Sequence, residues 1–208
     1  MKILKSLILS GILLNANGII EQKINLQINN KEFKIPILKE VTIDLDGKKY
    51  NITASIEKIA TFKHENIEFD FPSNLNYGYD DSAKDKGLIF WSLNGDNAIV
   101  MILEFHKEYP KEVILNKLLN KYKQMHATLK RENIELNIKN GKKIKGEFII
   151  VELANIILSQ EIFIFYSNNK TYVLVLQDLM QNGKHTQEYQ KVKDIVRKSL
   201  TIKGLSQR

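Results

Sequence analysis

The sequence predicts an α+β fold: an antiparallel β-sheet flanked by helices in an α/β/α sandwich, with an N-terminal β-hairpin extension. Three observations carry that expectation. Ala98-Ile99-Val100-Met101-Ile102-Leu103 is apolar at every position, which predicts a strand in the middle of a sheet covered on both faces. Pro110 to Arg131 and Thr186 to Leu200 repeat apolar residues at three- and four-residue steps, as helices packed on a sheet do. Paired turn residues, such as Asn29-Asn30 and Asp46-Gly47, separate runs in which every second residue is apolar, the pattern of hairpins.

Residues 1–18 read as an export signal. Lys2 and Lys5 form a cationic start, Leu7 to Leu14 an apolar middle, and Asn15-Ala16-Asn17-Gly18 a small, polar exit with Ala16 and Gly18 placed as a cleavage site requires. A membrane anchor is the competing reading, but a spanning helix needs about 20 apolar residues and polar residues interrupt this run well before that. The expected mature protein is therefore periplasmic, with no transmembrane anchor after cleavage. The chain has no cysteine, so a lipid-modified cysteine, disulfides, thiolate metal sites and cysteine nucleophiles are all excluded.

The formal charge of +7 falls to +5 once Lys2 and Lys5 leave with the signal. A balance so mildly basic does not argue for nucleic acid, and export argues against it. The charge is unevenly spread. Thr61 to Phe105 carries Glu65, Glu68, Asp70, Asp80, Asp81, Asp85, Asp96 and Glu104 against three lysines, whereas His106 to Glu147 is strongly basic. The two blocks either form faces of opposite potential or alternate in space and cancel.

Residues 19–60 form the expected hairpin extension. Ile24, Leu26, Ile28, Phe33 and Ile35 flank the Asn29-Asn30 turn, and Val41, Ile43, Leu45, Tyr50 and Ile52 flank Asp46-Gly47 seventeen residues later. Residues 61–203 form the sandwich domain. Ile67, Phe69 and Phe71 alternate into Pro72, and the polar stretch Tyr77 to Gly87 is expected to be a surface loop. Leu88 to Leu93 and Ala98 to Phe105 pair through Asn94-Gly95-Asp96-Asn97.

The helix expected from Pro110 to Arg131 opens on proline at its first position and buries Val113, Leu115, Leu118, Leu119, Tyr122, Met125 and Leu129. Strands Ile134 to Lys139, Glu147 to Leu153, Ile156 to Tyr166 and Thr171 to Gln177 follow. The closing helix buries Tyr189, Val192, Ile195, Val196 and Leu200, with Glu188 near its start and Arg197 and Lys198 near its end, complementing its dipole.

From Phe69-Asp70-Phe71-Pro72 onward the order of elements resembles the PsbP-like fold, shared by bacterial envelope proteins of the DcrB-like group. The long helix after the first strands, Thr171-Tyr172-Val173-Leu174-Val175, and the tail Val196 to Ile202 carry the likeness, over about two-thirds of the chain. The resemblance implies an exported, non-enzymatic domain that binds or organises partners. It places no binding residue on this sequence.

No residue is assigned as catalytic, cofactor-binding or metal-binding, and no cofactor is expected. His64, His106, His126 and His185 lack metal-ligand spacing. Glu104 and His106 share one face of a strand, but two ligands are not enough for a site. Asp80, Asp81, Ser82, Asp85 and Asp96 lack the alternate spacing and distal glutamate of a calcium loop. Gly141 to Gly146 lacks the Gly-Lys-Ser/Thr of a phosphate loop, and no Gly-x-Ser-x-Gly elbow occurs.

These readings point to a soluble, non-catalytic, partner-binding or scaffolding protein of the periplasm, its partner another envelope protein. Two alternatives stay open: an envelope hydrolase or metal-dependent enzyme with dispersed residues, and an immunity-type protein against a secreted toxin.

Overall fold

The computed structural model describes residues 23–29, 31–36, 40–53 and 58–206. The export signal of residues 1–18 lies outside the described residues. The chain divides into two compact units, with the break between Lys58 and Ile59.

The first unit holds two antiparallel hairpins. Strand β1 (Lys23–Ile28) pairs with β2 (Lys31–Pro36), and β3 (Glu40–Leu45) pairs with β4 (Lys48–Thr53). The β3–β4 turn sits at the Asp-Gly pair, and Asn29 follows β1, because Asn29 (φ 46°), Asp46 (φ 54°) and Gly47 (φ 81°) accept the left-handed backbone that tight turns need. Ile35 and Ile43 are buried in this unit. An exposed Lys31–Asp46 ion pair of 3.0 Å links β2 to the β3–β4 turn and adds little stability.

The second unit is built on a sheet of seven strands in the order β10-β11-β12-β13-β9-β8-β7, with a short eighth strand beside β12. In chain order these are β7 (Asn76–Asp80), β8 (Leu88–Asn94), β9 (Ala98–Phe105), β10 (Thr128–Asn137), β11 (Lys143–Leu153), β12 (Ile156–Ser167), β13 (Lys170–Leu179) and β15 (Leu205–Ser206). A second sheet joins β5 (Ile59–His64), β6 (Ile67–Pro72) and β14 (Thr201–Ile202). Helix α1 (Lys111–Gln124) covers one face of the large sheet. Helix α2 (Gln187–Ser199) and the small sheet cover the other.

The expected α/β/α sandwich is corrected by this architecture. Strands hold 59% of the described residues and helix 17%, so the described residues form a β-rich fold with two α-helices rather than helical layers on either side. A small sheet shares one covered face with α2, and two segments expected to be helix or loop are strand. The helix expected to reach Arg131 ends at Gln124, with Met125 as its cap and His126 at φ 58°; Thr128 to Asn137 is then an edge strand. The stretch expected to be a loop from Tyr77 begins as strand β7, and only after Asp80 does it turn.

Helix details shift as well. Pro110 is the residue before the helix rather than its first position, and Ile114 replaces the half-exposed Val113 in the buried stripe with Leu115, Leu119 and Tyr122. Strand β9 lies inside the sheet between β13 and β8, and Ala98 to Glu104 are all buried, as its continuous apolar run requires.

The β8–β9 turn is tied to α2 by one side chain. Glu188 accepts backbone hydrogen bonds from Asp96 (3.1 Å), Asn97 (2.6 Å) and Ala98 (3.1 Å). A Cβ on Gly95 would run into that carboxylate, so the glycine is what lets it dock.

Candidate functional site

On the sheet face beneath α2 and the small sheet, carboxylates are buried at both ends of the strands. One end is built on Glu104, which is 1% exposed. In register it lies between Ile89 of β8 and Tyr172 of β13. The alternation that points Val100 and Ile102 into the core therefore points Glu104 there too, at the last inward position of the strand.

A buried carboxylate needs partners, and these come from three elements. His64 Nε2, at the end of β5, lies 2.8 Å from Oε2; Lys170 Nζ, at the start of β13, donates to Oε1 at 2.8 Å; His106 Nε2 is 3.5 Å from Oε1. Lys170 also donates to both oxygens of Glu65, at 2.9 and 2.7 Å, and the Tyr172 hydroxyl donates to Glu65 at 3.3 Å. The Trp91 ring lies 4.3 Å from the His64 ring and holds its plane, with Phe62 and Tyr79 against the same indole.

The charges tune one another. The Lys170 ammonium holds the Glu65 carboxyl below its ordinary value. Burial lowers the Lys170 pKa, but hydrogen bonds to Glu104 and Glu65 outweigh it and leave the group raised. Burial, then the charges of Glu104 and Glu65, pushes the Tyr172 phenol well up, so it stays a protonated donor. Two carboxylates here share a single ammonium.

Glu65 reaches its position through an unusual backbone. It stands in the β5–β6 turn at φ 43°, a region that glycine and asparagine enter readily and glutamate does not. That conformation costs on the order of 1 kcal/mol. It persists because the hairpin and the Lys170 pairing over-determine it.

The other end of the face is built on Asp178, Ser159 and Glu161. Asp178 is fully buried and accepts from the Thr186 backbone (3.1 Å), the Thr186 hydroxyl (2.7 Å) and His185 Nδ1 (2.9 Å). Ser159 Oγ lies 3.3 Å from that same Nδ1. A hydrolytic relay needs serine and aspartate on opposite nitrogens of the imidazole, and an accessible hydroxyl; here both crowd one nitrogen and Ser159 is buried. Glu161 pairs with Lys193 and Arg197 of α2, each at 2.6 Å. These residues dock the helix.

The remaining sequence candidates are not gathered with Glu104. Asp80 accepts from the Ser82 backbone and Asp81 from the Tyr79 hydroxyl, both at the exposed end of β7, while Asp96 stands in the β8–β9 turn. His126 ends α1 and is exposed. Of the sequence pair Glu104 and His106, the structure adds His64 and Glu65, about forty positions earlier, and Lys170 and Tyr172, far later. Sequence spacing carries no sign of either addition; the turn pattern His64-Glu65-Asn66-Ile67 between two alternating strands is the one clue to a hairpin there.

Strand β7 borders this site and is one edge of the large sheet. Tyr77 and Tyr79 are 61% and 51% exposed on it. The opposite edge, β10, differs: its Lys130, Arg131 and Glu135 are tied into ion pairs with Glu152, Glu147 and Lys143.

Among the described residues no helix is long and apolar enough to cross a membrane. No family model matches the chain, and no curated protein matches it.

Proposed function

We propose that this is an exported, non-catalytic binding protein of the bacterial envelope that captures an extended segment of a partner protein along strand β7. The observation that carries the reading is the contrast between the two sheet edges. An open edge offers a row of backbone donors and acceptors, and proteins blunt such edges with charge when pairing is unwanted. Edge β10 is covered in paired charges. Edge β7 instead reads Asn76-Tyr77-Gly78-Tyr79 before its first charge, with both tyrosines exposed.

Added strands gain affinity from the main chain and specificity from side chains at alternate positions. Tyr77 and Tyr79 are two apart, so they share a sheet face and would receive alternate apolar residues of the incoming segment. Gly78 lies opposite Ser92, where a Cβ would stand 2.6 Å from its hydroxyl, so the strand is held close to β8. The export reading of residues 1–18 supports a partner in the envelope.

A photo-crosslinking residue placed at Tyr77, with a second chain carrying it at Lys130, tests the reading in intact cells. The expected result is a discrete adduct with one envelope protein from position 77 and none from 130. Equal adducts from both edges, or none from position 77, would sink it.

A further inference from the structure

Beyond the edge strand, we propose that His64, Glu65 and Glu104 form a divalent transition-metal site of the zinc class, which an ion enters by displacing the Lys170 ammonium. One donor atom from each residue, the imidazole nitrogen and two carboxylate oxygens, lies within 4.8 Å of the others. One nitrogen and two oxygens suit zinc, and three protein ligands leave a position open for water or a fourth donor. His106 stands beside the group, its Nε2 being 3.5 Å from Glu104 Oε1.

Electrostatics favours the exchange. Lys170 bridges Glu65 and Glu104 as a cation already, with contacts of 2.7 to 2.9 Å. One ammonium spans two carboxylates, and a divalent ion in its place would carry a charge equal to that of the carboxylate pair. The way in is open, since Glu65 is 45% exposed and the His64 and Lys170 side chains both reach solvent.

The side chains are held in place by packing and pairing. Trp91 packs on the His64 ring, and strand pairing on both sides fixes Glu104. Glu65 carries the left-handed backbone described above, which places its carboxylate over Lys170.

The test is a cobalt(II) titration of the full chain after chelation, read by visible absorption and then challenged with zinc. The variants are His64→Gln, Glu65→Gln and Lys170→Met, each checked by circular dichroism; the exposure of Glu65 keeps that variant informative if His64→Gln fails to fold. One cobalt ion per chain, displaced by zinc, is expected. Affinity should fall about tenfold or more in His64→Gln and Glu65→Gln and rise in Lys170→Met. A wild-type chain that takes up no cobalt, ligand variants that bind as tightly as wild type, or weaker binding by Lys170→Met would each overturn the proposal.

Discussion

At one end of the covered sheet face, Glu104 is met by His64, His106 and Lys170, and Lys170 is shared with the half-exposed Glu65. At the other, Asp178 is closed over by Thr186 and His185, and Glu161 by Lys193 and Arg197. The two ends lie six residues apart along β13 from Tyr172 to Asp178, or about 20 Å at the strand rise. Their chemistry differs in balance. The Asp178 and Glu161 end matches two carboxylates with two fixed cations and spends them on seating α2. The Glu104 end has a second carboxylate, one fixed cation and an opening. Burial of a charge is therefore no mark of a site by itself; what distinguishes the two is whether its partners are committed to holding the fold.

The largest expected effect lies at the closed end. Asp178→Ala leaves the Thr186 backbone and hydroxyl without their buried acceptor and should destabilise the protein by about 3 kcal/mol in denaturant unfolding. Glu104→Gln should cost less, about 1–2 kcal/mol, because Lys170 keeps Glu65 and the imidazoles can turn to water. If Glu104→Gln proves the more damaging of the two, the contrast between a structural end and an open end is lost.

A sharper version concerns the turn at Glu65. Glu65→Asn removes an exposed ion pair, worth at most about 1 kcal/mol, and relieves a left-handed glutamate of similar cost. Net stability should stay within about 1 kcal/mol of wild type, by the same denaturant measurement, whereas a loss several times larger would make Glu65 structural.

The sequence makes the central strand legible because Ala98 to Leu103 leaves no polar face, and it makes the tight turns legible because Asn-Asn and Asp-Gly state their backbone need. It hides the end of α1. Leu129 continues the helical spacing by accident, and the break depends on His126 taking a positive φ, for which the local sequence shows no glycine. Strand β7 is hidden too, since Tyr77 to Asp80 is polar and half-exposed, and an edge strand need not alternate strictly. For the site, Glu104 and His106 are visible as a strand-face pair. His64, Glu65 and Lys170 are not, because hairpin closure and strand order, rather than spacing, bring them within bonding distance.

The smallest expected effect is a pH dependence at the end of β7. The Ser82 hydroxyl and backbone hold the Asp80 carboxyl below its ordinary value. A depressed folded pKa gives stability that is present above the unfolded value and lost as pH falls through the folded one. The melting-temperature gap between wild type and Asp80→Asn should therefore be small near neutrality and close in acid. A gap that widens on acidification would contradict the assignment.

The most direct measurement of the central contrast is an anomalous-difference map from crystals grown with zinc. The expected peak lies among His64, Glu65 and Glu104, with none at His185 and Asp178. A peak at His185 and Asp178, or no peak at either end, would contradict the division of this sheet face into an open, cation-seeking end and a closed, structural one.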